Sequence, residues 1–323
     1  MVKVLVLGAT GYIGEALCAS LLRSSHVVYG LARSEAKAKQ LASQEITPVS
    51  GSIPDSTGGY LDLIRTHSID VAVDCSGAYL EAASIVRDLQ QIGRERLEAH
   101  KKAGLVGGPK LGFIYIGGTW VHGTSNETGI NDLTPVGTEG APAPPAKVVA
   151  WRPELERTVL ASRDVLDVCI VRPGLVYGRS TPLFGLWLGP VFGAIQAKAK
   201  EVSITAEPNT YLSLIHVDDV GLGIHKAVEK VSLLAGTGVF PVFDLVTSRE
   251  SLTDILQAAA KLIGFEGEVK LVGAGENAFA AAMCTSSLLD SGRARQLLDW
   301  KPRFTRGLFD RLEVVVKAHQ ASS

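Results

Sequence analysis

Three glycines near the start of the chain have the spacing of a phosphate-binding turn. They are Gly8, Gly11 and Gly14, within the sequence GATGYIG. In such a turn the first glycine allows a tight bend, the second lets a pyrophosphate approach the backbone, and the third lets a helix pack closely. The apolar run Val2–Leu7 before the turn predicts a buried strand, and Glu15–Leu22 after it predicts a helix. The combination favours dinucleotide binding over a glycine-rich connector, because N–H groups at the helix start face the phosphates.

The end of the second predicted strand indicates which dinucleotide is preferred. NAD-specific sites place a carboxylate there to bind the ribose hydroxyls. The chain has no acid at this tip, which ends in Ala32, Arg33 and Ser34. Arg33 can meet a 2′-phosphate and Ser34 can add a hydrogen bond, although a surface arginine without a role is the alternative. The sequence therefore favours NADP(H), with NAD(H) as the second choice.

The elements that position these residues alternate between strands and helices up to about residue 178. Further apolar runs predict strands, and periodic patterns predict helices. The strands are His26–Leu31, Ile46–Ser50, Ile69–Asp74, Leu111–Ile116 and Val168–Val171, and the long helices are Ser84–Ala103 and Lys147–Ser162. This alternation predicts an α/β fold, a Rossmann-type doubly wound parallel sheet. Residues 1–178 are expected to form the dinucleotide-binding domain. Residues 179–323 are expected to form mainly a smaller C-terminal substrate-binding lobe, with segments returning to the main sheet.

One apolar segment of this lobe has two interpretations. Residues 184–195, FGLWLGPVFGAI, carry no charge and include three glycines and a proline. The segment is either a buried connector or oligomer contact, or a mobile lid in which Trp187 closes over an apolar substrate.

Composition excludes several classes of protein. The 323 residues carry a net charge of −1, so nothing indicates nucleic acid or an anionic membrane as a partner. No apolar run approaches the roughly 20 residues that span a bilayer. The N-terminus enters a core strand directly, which predicts no signal peptide. The four cysteines lie far apart and predict neither a disulfide nor a metal site, as is typical of a cytoplasmic protein.

Five motifs in order resemble those of atypical or extended short-chain dehydrogenases/reductases, of the NAD-dependent epimerase/dehydratase type. The motifs are GATGYIG, Asp74–Ala78, Val171–Gly178 (VRPGLVYG), Ile215–Val220 (IHVDDV) and Leu297–Pro302 (LLDWKP). The resemblance implies a hinge between lobes, rather than a metal site, at His216, Asp218 and Asp219. With the glycine turn and the second strand tip, it implies a set of cofactor contacts. These are Gly8, Thr10, Gly11, Tyr12, Ile13, Gly14, Arg33, Ser34, Ser52, Ile53, Cys75, Ser76, Gly77, Pro173, Leu175 and Val176.

The usual catalytic set of this family is missing. The family uses Ser or Thr, Tyr and Lys, in which Tyr protonates the carbonyl oxygen as hydride arrives. By register, Gly118 stands at the Ser position, Val148 at the Tyr position and Arg152 at the Lys position. Arg152 can hold a ribose or phosphate but keeps its protons.

Two neighbours in the sequence can replace the missing donor. Thr119 can donate a hydrogen bond, and His122 can act as an acid near neutral pH. Each also has a structural interpretation, as a satisfied residue at a strand end or in a loop.

The aromatic residues near this region indicate the substrate. Trp120, Trp151, Trp187 and Tyr211 are candidate substrate contacts that suit a flat, apolar molecule. We therefore expect an NADP(H)-dependent reductase that acts on a small hydrophobic carbonyl metabolite, aromatic ones included. A non-redox isomerase, lyase or cyclase, and a nucleotide-sensing protein without turnover, are the alternatives. The helix Ser84–Ala103 has an irregular apolar set and many charges, which predicts a monomer or weak homodimer.

Overall fold

The structure, a computed structural model, describes residues 1–125, 127, 129–179 and 182–322. Its strands are β1 (Lys3–Leu7), β2 (Val27–Ala32), β3 (Thr47–Ser50), β4 (Val71–Asp74), β5 (Leu111–Ile116), β6 (Ile130–Asn131), β7 (Leu166–Pro173), β8 (Leu175–Tyr177), β9 (Glu201–Ile204), β10 (Tyr211–His216), β11 (Val242–Leu245), β12 (Ser248–Ser251), β13 (Glu268–Leu271) and β14 (Leu289–Asp290). Its helices are α1 (Tyr12–Arg23), α2 (Glu35–Ala42), α3 (Gly58–Thr66), α4 (Ala82–Lys102), α5 (Arg152–Ala161), α6 (Pro182–Gln196), α7 (Val217–Leu234), α8 (Leu252–Leu262), α9 (Ala278–Met283), α10 (Gly292–Leu297) and α11 (Leu312–Ser322). Short 3₁₀ turns lie at Thr119–His122, Lys147–Val149, Ser162–Asp164 and Phe309–Arg311.

Seven parallel strands form the main sheet, in the order β11-β7-β5-β4-β1-β2-β3. Its central strands are apolar because helices cover both faces. Helices α1 and α7 pack with one face of the sheet, and α3, α4 and α5 pack with the other. The strand order reverses between β1 and β4, which places a ligand crevice at their carboxyl ends. The predicted Rossmann-type fold is confirmed.

A second core forms the C-terminal lobe. Strands β8, β10 and β12 make a small sheet, and β9 pairs with β13. Helices α6, α8 and α11 cover these strands. The chain also returns to the main sheet, because α7 packs on α1 and β11 pairs with β7.

The apolar segment 184–195 lies within helix α6, and this corrects the lid interpretation. Trp187, Leu188 and Val191 are buried in the second core, in the helical spacing that faces a single surface. Pro190 lies on the exposed face of the helix. Because proline has no N–H, the carbonyl of Leu186 lacks its helical hydrogen bond, and it lies on the same exposed side, near solvent. Trp187 is 5% exposed and serves as a core residue. The side chain of Phe184 lies outside the described residues.

Among the described residues, no helix combines the length and apolar content needed to cross a bilayer.

Candidate active site

The glycine turn has a backbone that only glycine can provide. Gly8 has a φ of +84°, and a Cβ atom added there would lie 2.5 Å from the carbonyl oxygen of Cys75. A Cβ on Gly14 would collide with the carbonyl oxygen of Gly8. Gly11 precedes α1 and provides no side-chain cap, so no side chain from the N-cap position occupies the helix start, where an anion is favoured. This cradle fits the pyrophosphate of a dinucleotide.

A cleft of about 460 Å³ lies beside the turn, at the carboxyl ends of β1 to β4. The predicted cofactor residues that line it come from the glycine turn and from the ends of three other strands. They are Gly8, Thr10, Gly11, Arg33, Ser52, Ile53, Cys75, Ser76 and Gly77. The structure thus brings these residues together in one place, as a dinucleotide site requires.

The predicted cofactor residues outside this cleft have other surroundings. Tyr12 donates a 2.7 Å hydrogen bond to the carbonyl of Gly178, and Ser34 caps α2 by accepting from the backbone N–H of Lys37. Ile13 lines a neighbouring inner cleft, and Leu175 lines a small cavity next to Thr119. Pro173 ends β7, and Val176 packs against the main core.

The tip of β2 carries positive charge. Arg33 is exposed and makes no hydrogen bond or ion pair with the part of the chain that the structure describes. Lys37, which sequence reasoning did not assign, lines the same cleft, and its Nζ donates to Oε1 of Gln40. The single acid on the described lining is Glu81, at the start of α4.

The inner cleft, of about 100 Å³, continues from the large one toward β5. Asp74 lies at its base and accepts hydrogen bonds from the backbone N–H (3.0 Å) and hydroxyl (2.6 Å) of Ser76. Burial raises the pKa of the Asp74 carboxyl, and the two Ser76 bonds oppose that rise. These bonds fix the loop after β4, which also forms the wall of the large cleft.

Arg152 lies against Gly118, the residue predicted to stand at the family's serine position. A Cβ atom added to Gly118 would lie 3.1 Å from Nη1 of Arg152. At the Tyr position, Val148 is a half-buried aliphatic residue in the turn before α5. The absence of a side chain at Gly118 therefore leaves room for the guanidinium of Arg152. Val148 provides no phenol at the position where the family has tyrosine.

The surroundings of Arg152 are aromatic and buried. The residue is 6% exposed, and its guanidinium carbon lies 5.6 Å from the centre of the Tyr79 ring and 5.3 Å from that of Trp151. Its Nε atom is buried without a hydrogen-bond partner. Burial raises the pKa of the nearby Tyr115 hydroxyl, and the positive charge of Arg152 opposes that rise. Tyr79 and Tyr115 were not identified from the sequence as residues of this cleft. For Tyr79, its position two residues after Gly77, a predicted cofactor contact, could have indicated that it lies near the site.

His122 does not face the cleft, which corrects its assignment as the acid. Its Nε2 atom lies 2.8 Å from Oδ2 of Asp244 on β11, and both side chains are buried. Arg172 approaches Asp244 to 3.8 Å and pairs with Glu156 at 2.5 Å. His122 therefore belongs to a buried polar network, because buried polar groups need hydrogen-bond partners.

The remaining candidates divide between a small cavity and the surface. Thr119 and Trp120 line the cavity against β8 and β10, with the Trp120 ring 5.9 Å from that of Phe279. Trp151 is 37% exposed at the rim of the inner cleft. Tyr211 is exposed on β10, where Arg249 lies 4.5 Å from its ring centre, and its assignment as a substrate contact stays a prediction.

The segment His216–Asp219 is hydrogen-bonded to the C-terminal part of the chain. Asp219 accepts from the backbone N–H groups of Arg303 and Phe304, each at 2.8 Å. His216 stacks on the Phe304 ring with 3.7 Å between ring centres, and burial lowers its pKa to about 4. These contacts hold the start of α7 against the segment at Arg303 and Phe304, and the hinge interpretation of the motif stays a prediction.

Two other features do not belong to this site. A second cleft of about 460 Å³ lies at the amino ends of β4 and β5, but its Arg65 is already paired with Glu95.

His26, His225 and Glu229 cluster beside α7 as a metal site would. Nδ1 of His26 accepts the Val2 N–H, so its Nε2 carries the hydrogen of the neutral ring. An Nε2 atom that carries a hydrogen has no lone pair for a metal ion, so hydrogen bonding accounts for the cluster of His26, His225 and Glu229.

Comparison with known proteins identifies the family. The model of the NAD-dependent epimerase/dehydratase family matches residues 4–240. The chain belongs to this family. Within 244 aligned residues it is 25% identical to a decarboxylating sterol-4-alpha-carboxylate 3-dehydrogenase of Dictyostelium discoideum, which covers 71% of this chain and 68% of that protein.

Solved structures of epimerases and dehydratases share the fold. UDP-glucuronic acid 4-epimerase of Bacillus cereus, in complex with UDP-glucuronic acid and NAD, has a TM-score of 0.68 at 20% identity and covers 99% of this chain and 100% of its own. dTDP-glucose 4,6-dehydratase of Bacillus anthracis, in complex with NAD, has a TM-score of 0.69 at 16% identity, with coverage of 100% and 98%. The family and the cradle together support a nicotinamide dinucleotide cofactor.

Proposed function

We propose that the protein is an NADP(H)-dependent reductase that acts on a small hydrophobic carbonyl compound, aromatic ones included. The observation that carries this proposal is the continuous cleft from the glycine turn to Arg152, with a cationic tip at one end and aromatic walls at the other. The large cleft suits the adenosine half of the cofactor. The inner cleft suits the nicotinamide half, beside β5.

The preference for NADP(H) rests on Arg33 and Lys37. Both line the large cleft, and Arg33 has no partner among the described residues. A 2′-phosphate would give Arg33 the anion that its surroundings lack, through charge-assisted hydrogen bonds. NAD(H) provides only hydroxyl groups at this point, so it is expected to bind less tightly.

When bound, the reduced cofactor supplies hydride to the carbonyl carbon. The carbonyl electron pair then moves to oxygen, which needs a proton. Arg152 stabilises negative charge but keeps its protons. Tyr79 lies on the lining of the inner cleft, and its hydroxyl is 3.9 Å from a Cβ position on Gly77. We assign the proton to this phenol, which regains it from solvent because the side chain is 59% exposed.

Thr119 is the alternative donor from the sequence, although it is buried and lines the small cavity against β8 and β10 rather than the inner cleft. Tyr79→Phe should lower kcat by about 10²-fold or more if the phenol is the general acid, and leave NADPH affinity unchanged. Thr119→Val is the matched change. If only Thr119→Val lowers kcat, the donor assignment moves to Thr119.

A labelling experiment tests the redox chemistry. NADPH with both C4 hydrogens replaced by deuterium is incubated with enzyme and a panel of aromatic ketones and aldehydes, and the products are analysed by mass spectrometry. We expect deuterium on the former carbonyl carbon. Turnover without transfer of the label would exclude the reductase.

Non-redox chemistry is the second candidate. It is favoured by Val148 at the Tyr position, because an aliphatic side chain there supplies no acid for the usual carbonyl reduction. An isomerase or lyase would keep NADP(H) bound and unconsumed. A stoichiometric cofactor with no conversion of any compound would instead favour the nucleotide-sensing alternative.

We also propose that the protein acts on its small substrate as a monomer or weak homodimer. The apolar side chains Ile85, Leu89 and Ile92 of α4 are buried within the protomer. Polar residues, including Arg87 and Glu98, occupy its exposed face. A stable dimer in light scattering at micromolar concentration would contradict this.

A further inference from the structure

We propose that Arg152 binds a carboxylate of the substrate, so that the substrate is an apolar, preferably aromatic, carbonyl compound that also carries a carboxylate group. This inference rests on the proposed function, since it names the substrate class of the same site. It is carried by a buried cation that pairs with no carboxylate of the described residues, at a cleft with aromatic walls.

The first step concerns charge. Arg152 is 6% exposed, and it makes no ion pair with a carboxylate of the described residues. The nearest acid on its own helix, Glu156, is already engaged by Arg172 through three hydrogen bonds. A guanidinium cannot lose its proton to avoid the cost of burial, so it requires an anion.

The second step concerns position. Arg152 lines the inner cleft, and its Nη1 points toward Gly118, where the family has a side chain that contacts substrate. The cofactor cannot supply the anion at this point. Its pyrophosphate belongs at the N-terminus of α1, and its ribose carries neutral hydroxyls. The anion must therefore come from the substrate.

The third step concerns the body of the ligand. Tyr79 and Trp151 lie over Arg152 with 5.9 Å between their ring centres, and Leu80 beside them is 95% exposed. These exposed apolar groups at the rim suit an apolar body that extends away from the charged end. Because the guanidinium is planar and forked, it matches a planar carboxylate.

The test uses benzoate and its neutral isostere benzamide. Each is titrated by calorimetry into protein saturated with NADP⁺. We expect benzoate to bind at least about tenfold more tightly than benzamide, from one charge-assisted hydrogen-bonded pair. In Arg152→Met this preference should disappear, and Arg152→Lys should keep only part of it.

Arg157→Gln is the matched control. Arg157 lies on the same helix but is exposed and bonded to Glu154 at 2.7 and 3.0 Å. This variant should retain the full preference for benzoate. Loss of preference in Arg157→Gln as well would show a general charge effect and overturn the assignment.

Three further outcomes count against the proposal. Equal binding of benzoate and benzamide to the wild-type protein would overturn it without any variant. Inorganic phosphate that displaces benzoate with higher affinity would replace the carboxylate by a phosphoryl group. An unchanged preference in folded Arg152→Met would also exclude it.

A separate titration with NADPH keeps the two proposals apart. Failure to bind NADPH contradicts the proposed function, whereas normal NADPH binding without carboxylate preference contradicts only this inference.

Discussion

Arg152 and Arg172 are both buried beside Gly117, yet their electrostatic surroundings differ. Side-chain atoms of both residues lie within 4 Å of a Cβ position on that glycine. Arg172 is held by Glu156 and lies 3.8 Å from Asp244, whereas Arg152 faces aromatic rings. Although burial alone lowers the pKa of Arg172, the adjacent carboxylates raise it above its ordinary value.

This difference separates a structural cation from a functional one. A buried charge that the protein neutralises by itself links elements, here α5, β7 and β11. A buried charge that the protein leaves unpaired is costly in the free protein and is compensated when a ligand arrives. The following predictions test whether the two arginines differ in this way.

The largest effect is expected at the paired arginine. Arg172→Met leaves the buried carboxylates of Glu156 and Asp244 without their cation, so the free energy of unfolding should fall by about 3–5 kcal/mol. Urea denaturation of the free protein measures this. A loss below about 1 kcal/mol would show that the network contributes little to folding.

A smaller effect is expected at the exposed cation of the large cleft. Arg33→Ser removes one charged contact to a 2′-phosphate, so NADPH binding should weaken by about 1–3 kcal/mol. NADH has no such group, and its affinity should barely change. Calorimetry with both cofactors measures the difference, with Arg23→Ser, at the far end of α1, as control. Equal weakening for both cofactors would contradict the NADP(H) preference.

The cofactor half of the site could be predicted from sequence because its determinants are local. The roles of Gly8 and Gly14 depend on backbone geometry within one turn, and the structure shows the required close approaches. Strand β5 begins and ends at the predicted residues, since its apolar run is bounded by polar and glycine residues.

The other half depends on contacts between distant parts of the chain. His122 pairs with Asp244, and nothing in the local sequence of either residue indicates the other. In α6, the glycines and proline suggested a broken segment, but burial of Trp187 against the second core stabilises a helix. That Arg152 pairs with no carboxylate of the described residues depends on the positions of Glu156, Arg172 and Asp244, which come from three separate elements.

His216 is buried like Arg152 and Arg172, but unlike an arginine it can lose its proton and stay neutral. Burial lowers its pKa to about 4 from an ordinary value of 6.5. The unfolded chain therefore binds a proton at a higher pH than the folded chain does, and stability is lost as pH falls from about 6.5 toward 4. His216→Asn keeps an acceptor for the Asp218 N–H and cannot be protonated.

We expect the difference in stability between pH 7 and pH 4.5 to shrink by roughly 1–2 kcal/mol in His216→Asn. Urea denaturation at both pH values measures it. His67→Asn, at an exposed histidine, is the control and should leave the difference unchanged. An unaltered pH dependence in His216→Asn would mean that other buried groups, such as His225, account for the loss.

The smallest effect on stability is expected at Arg152, and it lacks the large loss expected at Arg172. Arg152→Met replaces a buried, unpaired cation by an apolar side chain between two aromatic rings. The lost cation–π contacts are worth about 1–2 kcal/mol, and the relieved burial of charge is of comparable size. The free energy of unfolding should therefore stay within about 1 kcal/mol of the wild type, or rise. Urea denaturation of the ligand-free protein, with Arg157→Met as the exposed control, measures it. A loss as large as that of Arg172→Met would show that Arg152 is also a structural cation.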